Sequence, residues 1–188
     1  MAREYWKPGN MLNPLPAVMV SCQRPGEKPN IITLAWVGTV CSDPPMVSIS
    51  IRPERYSYDI IAETKEFVIN LVDEKHAKEM DWCGVKSGRD YDKFAKMHLT
   101  PFPSKTVAPP GIEESPVSLE CKVREILELG SHNMFVAEVT AVSVDPSYMD
   151  ENGRFDMDQL GLISFNHGAY YTPGKKVGTF GYSVKKKK

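Results

Sequence analysis

Several hydrogen-bonding or charged side chains of this 188-residue chain stand where apolar runs begin or end. Asn30 opens NIITLAWVG, Arg52 follows MVSISI, and Lys93 closes SGRDYDK. His132 introduces the apolar part of GSHNMFVAEV, and Phe165 and His167 stand at the end of the LISF run. Polar groups at strand mouths can be aimed at a ligand rather than at the core. Ser57 is expected to cap a helix over YSYDIIAETK. A cation near such a helix start can bind phosphate, because free backbone N–H groups and positive charge converge there. Each residue also has a plainer structural reading. Arg52 reads as a surface arginine, Ser57 as only a cap, and Lys93 as a solvated loop lysine. Asn30 reads as the end of a turn after Pro29, His132 as a hydrogen-bonded strand-end histidine, and Trp36 as core.

Other chemistries lack their residues. The motifs GxGxxG, GxxxxGK[ST], HExxH and GxSxG are missing, and His76, His98, His132 and His167 show no metal-ligand spacing. A formal net charge of −1 predicts no general attraction to nucleic acid or to anionic membranes. The first residues, MAREYWKPGN, have no apolar signal region, and no apolar run approaches the roughly 20 residues of a spanning helix. Cys22, Cys41, Cys83 and Cys121 form no CxxC pair, which suits packed thiols in a reducing, cytoplasmic setting. Residues 1–184 are expected to form one domain, and Lys185–Lys188 a frayed basic tail.

Short β-branched runs bounded by turn residues predict strands over Ala17–Cys22, Ile31–Gly38, Met46–Ile51 and Glu66–Val72. Asp73 is expected to cap a second helix carrying Ala77, Met80 and Cys83 at helical spacing. GVKSGRDYDKF reads as a loop, and the proline-rich Thr100–Gly111 as irregular. In Val117–Leu129, Val117, Leu119, Cys121 and Val123 alternate with Ser118, Glu120, Lys122 and Arg124, predicting a strand with one wet face. Asn133–Val144 reads as a more buried strand. Asp150–Arg154 reads as a turn, and Leu162–Phe165 and Ala169–Tyr171 as the last strands. About seven strands with two small helices between them argue for a mainly β, closed antiparallel barrel. A doubly wound α/β sheet would need a strand–helix alternation that is absent after residue 95.

The stretch PNIITLAWVGTVCSDPPMVSISIRPERYSYDIIAETKEFVINLV resembles the first half of the flavin reductase-like, FMN-binding split-barrel proteins. The blocks N-x-x-T-x-A-W, P-P-x-V-x-I-S-I-R and E-F-V-I-N-L occur in order. CGVKSGRDYDKF, GSHNMFVAEV and HGAYYTPGKKVGTFGYS are similar to later blocks, with flavoredoxins as the nearest subgroup. The family's frequent Gly-Asp-His reads Gly130-Ser131-His132 here, and Ser50-Ile51-Arg52 replaces a Cys-Val-Asn-type segment.

The resemblance implies a split barrel with Greek-key-like strand order, a homodimer, and one FMN per subunit, seated where the barrel meets its partner. It implies Asn30, Thr33, Ala35, Trp36, Ser48, Ser50, Ile51, Arg52, Ser57, Lys93, His132 and Phe165 as cofactor contacts. Lys93, Arg52 and the helix start would hold the phosphate, Trp36 and Phe165 the ring, and Asn30 and His132 directed hydrogen bonds. Electrons would come from NADH or NADPH. A flavoredoxin-type carrier reduced by a redox protein partner, and a barrel that has lost its flavin, are the competing readings.

Overall fold

The computed structural model describes residues 3–184, so the expected Lys185–Lys188 tail lies outside the described residues. Strands β1 (Leu15–Pro16), β2 (Val18–Cys22), β3 (Asn30–Leu34), β4 (Val37–Ser42) and β5 (Pro45–Ile51) lead into helix α1 (Tyr56–Thr64) and strand β6 (Glu66–Leu71). Helices α2 (Ala77–Val85) and α3 (Lys93–Met97) precede the short β7 (Pro101–Phe102) and β8 (Gly111–Ile112). The long β9 (Val117–Glu128) and β10 (Asn133–Val144), then β11 (Ser164–Asn166) and β12 (Ala169–Tyr171), complete the strands.

Seven strands form one antiparallel sheet in the order β3-β2-β6-β9-β10-β5-β4. Its two edges, β3 and β4, are consecutive in the chain and separated only by Ala35 and Trp36. Leu34 and Val37 are three Cα steps apart, at most about 11 Å. The sheet must therefore curl until its edges meet, and the expected mainly β barrel results. The expected single run Ile31–Gly38 is thus two strands on opposite edges. The break falls at Trp36, whose carbonyl accepts the Ser50 N–H at 2.9 Å and draws the chain onto β5. The last two expected strands also sit elsewhere: β11 and β12 join β1 in a separate three-stranded sheet.

Inside the curl, Val18, Val20, Ile32, Ile49, Ile51, Phe67, Phe135 and Ala137 form the main core, with Ile60 and Ile61 of α1 packed among them. The helix covers the seam where β3 and β5 touch. A second cluster, with Met19, Ile31, Met80, Cys83, Phe94 and Ile163, fills the space between the outer face of β2–β3 and helices α2 and α3. Every residue of β2 is therefore buried: Val18, Val20 and Cys22 in the first cluster, Met19 in the second, and Ser21 against Asn70 and the Pro110 carbonyl. Asn70 of β6 is also buried; its amide donates to Ser21 Oγ at 3.1 Å and accepts from Ser118 Oγ at 2.8 Å and the Ile112 N–H at 3.0 Å.

The expected wet face of β9 is only partly wet. Ser118 and Glu120 are buried because the proline-rich segment between α3 and β9 folds across them. Glu120 accepts the N–H groups of Lys105 at 2.8 Å and Thr106 at 2.5 Å, and the Thr106 hydroxyl at 2.6 Å. Glu66 on the neighbouring strand accepts the Ala108 N–H at 2.8 Å. Burial alone would raise the Glu120 carboxyl, but these donors outweigh it and hold the group below its ordinary value.

A carboxyl lowered in this way stabilises the fold above its unfolded-state pKa and loses that contribution as pH falls through the folded value. Glu120→Gln is expected to lower the unfolding free energy by about 2 kcal/mol at pH 7, the range for hydrogen bonds to a charged group. In urea melts the gap to wild type should narrow as pH drops below about 4.

Candidate functional site

At the start of β3, Asn30 is buried and donates from Nδ2 to Ser57 Oγ at 2.8 Å. Ser57 is not the helix cap expected of it. Arg55 holds the cap position with extended backbone, and Ser57 is the second helical residue, its side chain turned inward to meet Asn30. The Tyr58 N–H donates to the Arg55 carbonyl at 2.9 Å, while the N–H groups of Tyr56 and Ser57 have no acceptor four residues back within the helix.

Lys93 opens α3 rather than closing a solvated loop, and it is only 3% exposed. Its ammonium donates to the carbonyls of Ile31 and Cys83, each at 2.7 Å. Arg55 donates to the carbonyl of Gly84. Two cations therefore meet the carbonyls at the end of α2, where the helix dipole is negative. Among the described residues no carboxylate pairs with Lys93. Burial pushes its pKa down to about 8. Asn30, Arg55, Ser57, Gly88, Arg89 and Lys93 line a cavity of about 180 Å³ here.

Arg89 stacks over the Tyr56 ring at 5.3 Å and donates to the Glu54 carbonyl at 3.3 Å, which ties the loop after α2 to the start of α1. That approach requires glycine at 88. A Cβ there would stand 2.1 Å from Asn30 Oδ1 and 2.7 Å from Tyr56 Cδ1.

A second, larger cavity of about 600 Å³ lies at the other end of the seam. Inward-facing Val47, Ile49 and Ile51 alternate with Ser48 and Ser50, so those two serines face it. Trp36, Phe165 and the arm Gly9–Leu15 supply its other walls. Trp36 is 40% exposed, so its expected core placement fails. Its ring lies parallel to that of His132, centroids 5.9 Å apart, and 6.4 Å from Phe165 at 46°. His132 Nδ1 shares a 3.0 Å hydrogen bond with Ser131 Oγ.

Asn30, Ser57 and Lys93 thus gather at one cavity, and Trp36, Ser48, Ser50, His132 and Phe165 at or beside the other. Ala35 lies in the connection between them. The Thr33 hydroxyl is turned away, donating to the Met80 carbonyl. The Ile51 side chain is packed in the barrel. Arg52 lines neither cavity; it pairs with Glu54 at 2.7 Å. Arg55, Arg89 and Gly88 were missed. Arg55 directly precedes the helical run and was the better candidate for the cation at the helix start.

Burial pushes the Cys22 thiol up to about 12 and Cys83 up to about 11, which leaves both protonated near neutrality. These are packed thiols rather than nucleophiles. Another cavity of about 600 Å³, between Ser147 and Lys176, is polar. Its Asp150 and Asp156 each accept N–H groups of their own turns through Oδ1, and Asp156 Oδ2 accepts from the Gln159 amide. No helix among the described residues is long and apolar enough to cross a membrane.

Residues 11–171 match the model of the flavin reductase like domain. The chain belongs to the flavin reductase-like family. Flavoredoxin of Desulfovibrio vulgaris (Miyazaki F) superposes with a TM-score of 0.89 at 29% identity, over 98% of this chain and 100% of that one. A flavoredoxin from Methanosarcina acetivorans gives 0.87 at 27% identity, with the same coverage of each chain. An uncharacterized protein of Archaeoglobus fulgidus is 32% identical over 78% of this chain and 81% of its own length.

Gly88→Ala is expected to push Tyr56 and Asn30 apart and break the Asn30–Ser57 bond. The expected loss is about 1–3 kcal/mol, as for overpacking in a filled site, read from the urea midpoint.

Proposed function

We propose that the chain binds FMN along the seam and is an electron-transferring flavoprotein that takes its electrons from NADH or NADPH. Lys93 carries this reading: a buried ammonium without a carboxylate, at one end of a groove whose other end is aromatic. FMN has matching ends, a phosphate of about two negative charges and a wide ring with a hydrogen-bonding edge.

The residues present fit those two ends. Lys93, Arg55 and the first N–H groups of α1 would take the phosphate, with Asn30 and Ser57 beside them. Trp36 and Phe165 would wall the ring. Ser48, Ser50 and His132 would offer directed polar atoms. Thr33, Ala35 and Ile51 would take part through main-chain groups, since their side chains are occupied or small. Arg52 would contribute charge from the rim.

When bound, the flavin supplies the hydride and electron chemistry. The chain's part is to bind it, orient it and leave one face of the ring open. A histidine next to the ring favours a negatively charged reduced cofactor through its polarity. No residue is assigned as general acid, base or nucleophile. Exposed Tyr5, Trp6, Leu12 and Phe180 provide apolar surface for a homodimer, and the protein is read as cytoplasmic.

A second reading has an observation of its own. The full-length match to flavoredoxins favours a carrier reduced by another protein. A barrel that has lost its flavin is disfavoured, because it would bury the Lys93 charge with nothing to neutralise it.

Purified protein mixed with FMN is expected to show the absorption of a bound flavin, and anaerobic NADH or NADPH should bleach it. A bound flavin that neither nicotinamide bleaches would favour the carrier; a protein that takes up no FMN would overturn the flavin reading. Trp36→Ala should weaken FMN binding roughly tenfold or more, the scale of one lost aromatic contact. His132→Ala should weaken binding or lower the flavin potential; a titration with neither change would remove His132 from the site.

A further inference from the structure

The two cavities differ in charge. Lys93, Arg55 and Arg89 line the smaller one. The larger, of about 600 Å³, has no Lys, Arg, Asp or Glu among its lining residues. Met11, Leu12, Leu15, Trp36, Val37 and Phe165 make its walls. An anion brought against these walls would shed water and meet no opposing cation, a cost that an uncharged molecule of the same size avoids. Met11 is flexible and polarisable, so that side of the cavity adapts to ligands of different outline. Walls of this kind suit a flat, apolar and uncharged guest.

One polar group at the rim is unspent. His167 lines the cavity beside Gly168. The pair forms the two-residue turn between β11 and β12, with φ of 51° and 84°. Asn-Gly is the usual choice where both angles are positive, and histidine here carries a longer donor in the place of Asn. Among the described residues the His167 side chain has no hydrogen-bond or ion-pair partner. His132 meets Ser131 and His76 meets Asp73, so those two rings are engaged. An imidazole has an N–H to donate in either protonation state.

We propose that the larger cavity takes a small, uncharged, planar electron acceptor with a conjugated carbonyl, of the quinone class, and that His167 hydrogen-bonds its carbonyl oxygen. This rests on the flavin reading above and names the acceptor, which that reading leaves open. A quinone that becomes a hydroquinone gains two electrons and two protons. These are a hydride from the flavin, reduced beforehand by its own donor, and a proton from water at the cavity mouth; the flavin is left oxidised. Negative charge gathers on the carbonyl oxygen as the hydride arrives, and an N–H placed there stabilises it. Asn10 and Asn13 of the arm line the same cavity and offer amides to the second carbonyl.

The test compares 1,4-naphthoquinone with its 2-sulfonate, which adds one negative charge to the same ring. Both are titrated into the oxidised, FMN-loaded full chain at pH 7, with tryptophan fluorescence as the readout. The neutral quinone is expected to bind at least tenfold more tightly. After anaerobic reduction of the flavin with one equivalent of dithionite, it should also reoxidise the protein at least tenfold faster at equal low concentration. His167→Gly keeps the turn, since glycine adopts positive φ freely. It should raise the naphthoquinone Kd about five- to tenfold, the scale of one hydrogen bond, while the FMN Kd and reoxidation by ferricyanide stay within twofold. If the variant does not fold, the comparison of the two quinones in the wild type decides alone. Equal binding of the two, or no binding of either by a chain that holds FMN, would overturn the inference and leave the flavin reading standing. A folded His167→Gly with an unchanged naphthoquinone Kd would overturn the role given to His167. A chain that takes up no FMN would overturn the flavin reading and this inference with it.

Discussion

The two-residue link between β3 and β4 sets the geometry of the whole molecule. Strands on opposite edges of a seven-stranded sheet cannot be joined by Ala35 and Trp36 unless the sheet wraps around. Once it wraps, β3 and β5 come alongside each other, and the seam between them runs past both cavities. Helix α1 covers part of that seam and points its N-terminus at one of them. Trp36 has no room inside the turn, so its ring is directed outward beside His132. The groove proposed for the flavin follows the line where the two edges of the curled sheet meet.

Charge at the groove is arranged by backbone as much as by side chains. The end of α2 offers carbonyls from Cys83 and Gly84, and these fix Lys93 and Arg55 in place before any ligand arrives. Cations held by dipoles lose little freedom on meeting an anion, which makes them better ligands than mobile surface lysines. The loop with Gly88 and Arg89 then leans on Tyr56 and Asn30 and shapes the outer wall. Three elements remote in sequence thus converge on one small cavity, and each depends on a neighbour for its position.

Much of this was legible in the residues. Period-2 patterning placed β9 and an apolar run placed β10 within a residue or two, while Asp73 caps the 3₁₀ turn Glu74–His76 ahead of α2 rather than α2 itself, accepting the His76 N–H at 3.2 Å. The family resemblance directed attention to Asn30, Lys93 and Trp36; the structure sets Asn30 and Lys93 at one cavity and Trp36 at the other. What failed was decided at long range. Nothing local in Ser118 or Glu120 shows that a proline-rich segment will cover them. Ile31–Gly38 is apolar but for Thr33, and no turn residue inside it marks the jump between edges. α3 is five residues long, too short for a clear period, and Lys93 was read as loop for that reason. Arg55 directly precedes the helical run, whereas Arg52 ends a strand and is drawn to Glu54.

The small three-stranded sheet joins Leu15 to Phe165, residues about 150 positions apart in the chain. Loop closure over such a separation comes late, after the nearer pairings have formed. The arm Gly9–Leu15 can settle against Trp36 only when β11 is present to receive it. On a ribosome, the wall of the larger cavity would therefore stay open until nearly the whole domain had emerged. A nascent barrel could pack its interior well before that wall was in place, so the larger cavity belongs to the finished chain.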